Sequence, residues 1–146
     1  MVILSKFAEN LSTLMQEQNV NAPALAKILH THRTSITRYL CGQRLPNYNG
    51  FVRMLTHFNV SADLLLGRID YCDTKEFQPI QPFGKIFQKV LKETNTSQYR
   101  LQKDLHFSSS TTHVWLINKS LPSIEHLDQL ADYLDLSVDY LLGRIS

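Results

Sequence analysis

SADLLLGRID at residues 61–70 recurs as SVDYLLGRIS at residues 137–146. A shift of 76 positions aligns Phe7–Asp70 with Phe83–Ser146 without an insertion or deletion, and 17 of the 64 aligned residues are identical. At many other aligned positions one apolar residue replaces another. An ungapped match of this length indicates that the chain holds two copies of one structural unit.

The two copies define the domain organisation that we predict. A first domain covers residues 1–70, a linker (YCDTKEFQPIQP) covers residues 71–82, and a second domain covers residues 83–146. The linker contains Phe77, Ile80 and two prolines. Because apolar side chains gain free energy on leaving water, we expect the linker to pack against a domain.

Each copy has the pattern of five short helices, which predicts an all-α fold. Apolar residues at Phe7, Leu11, Leu14 and Met15 follow the spacing of one helix face. Residues that cap helix N-termini, or that tolerate a left-handed C-terminus, separate the remaining helices. The predicted caps are Asn21, Ser61, Ser97 and Ser137, and the predicted stops are Gly42, Gly67, Asn118 and Gly143. The second helices should end at Leu29 and Leu105, the third should span 33–41 and 109–117, and the fourth should span 47–58 and 123–134.

Composition argues against several classes of protein. A hydrophobic content of 43% is ordinary for a globular chain. No apolar run approaches the length of a membrane span, and the first ten residues lack the layout of a signal peptide. Two cysteines make no disulfide framework, so we expect free thiols and a cytoplasmic protein. We find no catalytic or metal-binding pattern, and we predict neither enzyme activity nor a cofactor.

Charge is distributed unevenly along the chain. Residues 1–70 hold seven Lys and Arg against four Asp and Glu, which gives +3. Residues 71–146 hold eight against nine, which gives −1. A basic half favours a polyanion as its partner.

In fixed order and spacing, the motifs resemble the helix-turn-helix domains of phage repressor and Cro-type (XRE-like) regulators. The matching residues of the first copy are Leu25, Ala26, Ile36, Gly42 and Pro46, and those of the second are Ser97, Gln98, Leu101, Leu105, Ser108 and Pro122. The closing string SVDYLLGR matches the end of the family pattern. The resemblance implies two lambda-repressor-like five-helix domains and a transcriptional regulator, of repressor type, that binds a double-stranded DNA operator.

The third helix of the first copy has the amphipathic pattern of a DNA-recognition helix. Ile36, Tyr39 and Leu40 form its apolar side. Arginine makes bidentate hydrogen bonds to guanine, and threonine can bond a base edge or contact a thymine methyl group. By the resemblance, the first, second and sixth positions of this helix meet bases. The predicted DNA contacts of the first copy are Arg33, Thr34, Ser35, Thr37, Arg38 and, on the phosphate backbone, Arg44.

The second copy allows two interpretations. Its third helix contains no Lys or Arg, and its outward side includes Val114 and Ile117. In one interpretation it still binds DNA, with Val114 against a thymine methyl group. In the other, Val114 and Ile117 form a protein interface, for example in a homodimer. The DNA contacts in the first interpretation are Gln98, Ser109, Ser110, Thr111, His113 and Lys119.

Two histidines occupy the turn between the second and third helices. His30 and His106 align with each other, and histidine is enriched among residues with positive φ. We predict left-handed backbone at both positions rather than a metal site. The main functional prediction is a sequence-specific DNA-binding regulator of phage or mobile-element type. The alternative is a protein-binding adaptor or antitoxin-like module built on the same fold.

Overall fold

The computed structural model describes residues 2–72 and 76–145, whose regular elements are ten α-helices. The chain divides into two compact units, Met1–Lys75 and Glu76–Ser146, hereafter the first and second units. The division falls inside the predicted linker, of which residues 73–75 lie outside the described residues. The all-helical class that the sequence predicts is confirmed for the described residues.

The first unit contains five helices in the predicted order. They are α1 (Val2–Glu17), α2 (Ala22–Ile28), α3 (Arg33–Leu40), α4 (Tyr48–Phe58) and α5 (Ala62–Leu65). Helix α3 packs against α1 and α2, and α1 also packs against α5. The predicted apolar face of α1 is confirmed for Phe7 and Leu11, which are fully buried, and for Met15, which is 7% exposed, whereas Leu14 is half-buried.

The second unit repeats this order of helices. It contains α6 (Phe83–Glu93), α7 (Gln98–Leu105), α8 (Ser109–Leu116), α9 (Ile124–Leu134) and α10 (Val138–Leu141). Helix α8 packs against α6 and α7, as α3 packs against α1 and α2. Trp115 of α8 lies in the core, with its ring 6.0 Å from that of Phe83 and 5.8 Å from that of Phe87.

Local backbone chemistry sets the helix ends, as the sequence predicts. Each predicted N-cap side chain accepts a hydrogen bond from the backbone N–H three residues further on. His30 and His106 have φ of 56° and 59°, so the left-handed turns between helices are confirmed. Gly42 and Asn118, with φ of 71° and 59°, end α3 and α8 in the same way.

In both units the repeated closing string contains an ion pair between its aspartate and its arginine. Arg144 donates to Asp139 at 2.7 Å, and Arg68 donates to Asp63 at 3.0 Å. The side chains of Arg144 and Asp139 are each only 5% exposed. The string therefore encodes an internal charge pair as well as a helix stop.

The residues just before α6 pack against the second unit. The Arg144 guanidinium carbon lies 3.9 Å from the centre of the Phe77 ring, and the backbone N–H of Gln78 donates to the Arg144 carbonyl at 2.8 Å. The expectation that this part of the linker packs against a domain is confirmed for Phe77. None of the described helices is long and apolar enough to cross a membrane.

Candidate nucleic-acid interface

Helix α3 presents a polar, cationic surface. Ile36 is fully buried and Tyr39 is 7% exposed, which fixes one side of the helix against the core. One residue advances about 100° around the helix axis, so the residues opposite Ile36 must face solvent. The outer face of α3, as we call this exposed surface, consists of Arg33, Thr34, Thr37, Arg38 and Cys41.

The N-terminus of α3 has no side-chain cap. His32 occupies the N-cap position and makes no side-chain hydrogen bond to the first turn. In α8 the corresponding residue, Ser108, accepts from the backbone N–H of Thr111 at 3.2 Å. The first-turn N–H groups and the helix dipole favour an anion, and in α3 no side chain of the N-cap occupies them.

Ser35, one of the predicted DNA contacts, lies on the flank of α3. It is 7% exposed, and its hydroxyl oxygen accepts a hydrogen bond of 2.7 Å from Nη2 of Arg44. Ser35 and Tyr39 lie one turn apart on the flank of α3, between the outer face and the buried side. In the free protein the Ser35 hydroxyl therefore contacts Arg44, and Ser35 is not part of the outer face.

Arg44 lies beside α3, where two residues hold it. Besides its hydrogen bond to Ser35, its guanidinium carbon stands 5.6 Å from the centre of the Tyr39 ring. The residue as a whole is exposed. A second arginine, Arg53 in α4, donates through Nη1 to the carbonyl oxygen of Leu29 at the end of α2, 3.2 Å away. Sequence patterns did not identify this role of Arg53.

Helix α8 exposes hydroxyl groups in place of arginines, and Val114, which was predicted to face outward, is half-buried. Ser109, Ser110 and His113 are exposed, as is Lys119 after the helix, whereas Thr111 is half-buried. The Ser108 hydroxyl lies 2.6 Å from that of Thr111 and 3.1 Å from that of Ser110. Two of the predicted contact residues thus bond to the cap of their own helix.

Gln98 points its amide nitrogen into the second unit. Its Nε2 donates to the Thr112 hydroxyl at 2.9 Å, and Nε2 of Gln102 donates to the same oxygen. Thr112 is fully buried and Gln98 is half-buried. One N–H of the Gln98 amide is therefore used within the unit, and its predicted contact with DNA stays a prediction.

This amide–hydroxyl network has an apolar counterpart in the first unit. Ala22, Ala26 and Ile36 stand at the positions of Gln98, Gln102 and Thr112. The three polar residues of the network are thus replaced together in the first unit, which is the pattern expected of residues in mutual contact.

Comparison with known proteins identifies one family. Residues 87–146 match the Cro/C1-type HTH DNA-binding domain. No curated protein and no solved structure matches the chain. The matched residues lie within the second unit, whereas the arginines of the outer face of α3 belong to the first. The match over residues 87–146 supports a DNA-binding, XRE-like transcriptional regulator.

Proposed function

We propose that the chain is a sequence-specific transcriptional regulator in which both units are helix-turn-helix domains. The first unit, outside the matched residues, is supported by its ungapped alignment with the second and by the same five-helix order. The left-handed turn at His30 repeats that at His106, and the uncapped start of α3 follows it.

The main support for DNA recognition is the outer face of α3. Arg33 and Arg38 are exposed on it, and Thr34 and Thr37 lie between them. An α-helix fits the major groove of B-DNA, where arginine recognises guanine and threonine contacts a base edge or a thymine methyl group. We propose that α3 of the first unit is the principal recognition helix.

The second unit plays a different part in this proposal. Exposed Ser109 and Ser110 at the start of α8 can donate to phosphates or bases of an adjacent site. Exposed apolar surface favours the alternative of a protein contact, including a homodimer, because Ile117 is 45% and Leu121 is 39% exposed. We propose that the second unit binds an adjacent DNA site and that it contributes less affinity than the first.

The biological role that we propose is repression by operator binding, in a regulator of phage or mobile-element type. Its partner is double-stranded DNA, and no catalytic step is involved. The support is the XRE-like domain of the second unit together with the cationic surface of the first.

A footprint on DNA selected from a random pool tests the role of each unit. If both units bind, the protected segment spans two adjacent sites, and replacing Ser109 and Ser110 by alanine shortens it. An unchanged footprint would show that α8 does not touch DNA. The matched variant Thr34→Ala/Thr37→Ala removes two hydroxyls from α3 and should weaken protection at the other end.

Salt dependence separates this proposal from a protein-binding adaptor. Neutralised phosphates release counterions, so the affinity for DNA falls steeply as salt concentration rises. An apolar interface that includes Ile117 would change little with salt. Fluorescence anisotropy of labelled DNA at several salt concentrations gives the slope, and a failure to bind DNA at low salt would favour the adaptor.

A further inference from the structure

We propose that Ser35 and Tyr39 are positioning residues that hold Arg44 ready for a DNA phosphate beside α3. The inference rests on the proposed function and adds to it how the cationic surface is organised. Neither Ser35 nor Tyr39 needs to touch DNA in this arrangement.

The contacts of Arg44 restrain its side chain in free protein. Its Nη2 is 2.7 Å from the Ser35 hydroxyl oxygen, and its guanidinium carbon is 5.6 Å from the centre of the Tyr39 ring. Ser35 and Tyr39 are both 7% exposed and are held by the packing of α3. The guanidinium is thus fixed between a buried acceptor and a buried ring.

The position of Arg44 extends the charge of the outer face. At 100° per residue, Ser35 and Tyr39 follow Arg38 around the helix, on the side away from Arg33. Arg44 therefore adds a third cation next to Arg38, at the rim of the surface that would enter the groove. A side chain at that rim meets the sugar–phosphate backbone, whereas base contacts come from the centre of the helix face.

The restraint leaves Arg44 able to bind an anion. A guanidinium has five N–H donors, and the hydrogen bond to Ser35 uses one of them. The Ser35 hydroxyl is neutral, so the positive charge is not compensated by its partner. Restraining a long side chain before binding lowers the entropy lost when it meets a phosphate.

The second unit shows that the fold does not require this arrangement. Thr111, Trp115 and Ser120 replace Ser35, Tyr39 and Arg44. The Thr111 hydroxyl bonds to the cap residue Ser108 instead, yet α8 packs on α6 and α7 as α3 packs on α1 and α2. The contacts of Arg44 with Ser35 and Tyr39 therefore occur only in the first of the two aligned units, which also has the arginines of α3.

A double-mutant cycle on the full chain tests the inference. DNA selected by the wild-type protein is titrated with the wild type, Ser35→Ala, Arg44→Ala and the double variant at several salt concentrations. The association constant falls as salt rises, so the slope of log K against log salt is negative. Arg44→Ala should make this slope shallower by about 0.9, the value for one lost phosphate contact. Ser35→Ala should leave the slope unchanged and weaken binding about 2- to 10-fold, as expected for one side chain that must now be ordered on binding.

The decisive comparison is the effect of Ser35→Ala on DNA affinity with and without the Arg44 side chain. If Ser35 acts through Arg44, Ser35→Ala has no further effect once Arg44 is alanine. An equal loss in both backgrounds, or no loss with arginine present, would overturn the inference while the proposed function stood. Absence of DNA binding by the wild type would overturn both.

A fourth variant, Arg44→Lys, covers the case in which Ser35→Ala disturbs the fold, which urea unfolding would reveal. Arg44→Lys retains the charge but loses the planar fork that reaches Ser35 and stacks on Tyr39. The inference predicts a wild-type salt slope with weaker binding for Arg44→Lys. Wild-type affinity in this variant would show that charge alone suffices and would contradict the role of the positioning residues.

Discussion

Arg144 and Asp139 form an ion pair of 2.7 Å in which each side chain is only 5% exposed. The stacking of the Arg144 guanidinium on Phe77, 3.9 Å from its ring centre, joins the residues before α6 to the end of the second unit. A buried charge that loses its partner costs much more than a surface charge does.

Removal of one partner of this pair should therefore destabilise the second unit strongly. We expect Asp139→Ala to lower the free energy of unfolding by about 3–5 kcal/mol, because it removes one charge of a buried, hydrogen-bonded ion pair. Trp115 is the single tryptophan of the chain, so its fluorescence in urea reports on this unit. The control is Arg100→Ala, whose ion pair with Asp104 is exposed and should contribute at most about 1 kcal/mol. Equal losses for the two variants would contradict the prediction.

The helices could be predicted from the sequence because their signals are local. A serine cap such as Ser97 and a left-handed stop such as Asn118 act within one turn of their own position. The alignment of the two copies then gave a second, independent reading of each boundary. Each helix end that the sequence predicts lies within one residue of the observed end.

The side-chain contacts could not be predicted in the same way, because they depend on how the helices pack. Ser35 lies on the flank of α3, and its hydroxyl bonds to Arg44 only because the loop after the helix brings that arginine to it. Gln98 has the residue type of a DNA contact in the family, but buried Thr112 offers its amide nitrogen an internal acceptor. Residue spacing along the chain predicts neither of these two hydrogen bonds.

The amide–hydroxyl network of the second unit should be cooperative. We expect Thr112→Ile, which introduces the residue of the first unit, to lower the stability of the second unit by about 1–3 kcal/mol, because Gln98 and Gln102 both lose their acceptor. Adding Gln98→Ala and Gln102→Ala should recover most of the loss, since all partners are then apolar. Urea unfolding monitored by Trp115 measures both variants. Strictly additive losses in the triple variant would argue against a network.

Gly84 should tolerate no side chain. A Cβ at this position would lie 2.6 Å from the carbonyl oxygens of both Trp115 and Leu116, and the Gly84 N–H donates to the Asn118 side chain at 2.9 Å. We expect Gly84→Ala to push α6 away from the end of α8 and to cost about 1–3 kcal/mol. Thermal unfolding followed by circular dichroism measures the loss.

Gly50→Ala is the control for that substitution. Its added Cβ would meet only side-chain atoms, the nearest being Oδ1 of Asn47 at 3.1 Å. Alanine also has the higher helix propensity, so we expect no loss of stability. If Gly84→Ala unfolded at the same temperature as this control relative to the wild type, the close approach of α6 to the end of α8 would be contradicted.

The stability of the second unit should fall in mild acid through His126. Burial lowers the pKa of His126 below its usual 6.5, and nearby Glu125 only partly opposes this shift. The ring lies 4.9 Å from that of Phe107 and 5.4 Å from that of Trp115. Because the folded state binds the proton less well than the unfolded state, stability is full above pH 6.5 and declines as the pH falls below it.

The measurement is the urea midpoint of Trp115 fluorescence at pH 7.5 and pH 5.5. The difference between the two midpoints should be smaller in His126→Gln, whose side chain does not titrate. His126→Gln also loses the ring contacts of His126, which lowers stability equally at both pH values. This loss cancels in the difference between the two urea midpoints. The same pH dependence in both proteins would exclude His126 as its source.

The central claim is that the outer face of α3 recognises DNA sequence. Its most direct test is the ratio of affinities for selected and scrambled DNA, measured by anisotropy at fixed salt for the wild type, Arg38→Ala and Ser109→Ala/Ser110→Ala. We predict that Arg38→Ala reduces the discrimination by about 1–3 kcal/mol, the contribution of one bidentate base contact, and that the α8 variant reduces it less. An unchanged ratio in Arg38→Ala, with a large loss in the α8 variant, would assign recognition to the second unit and contradict the claim.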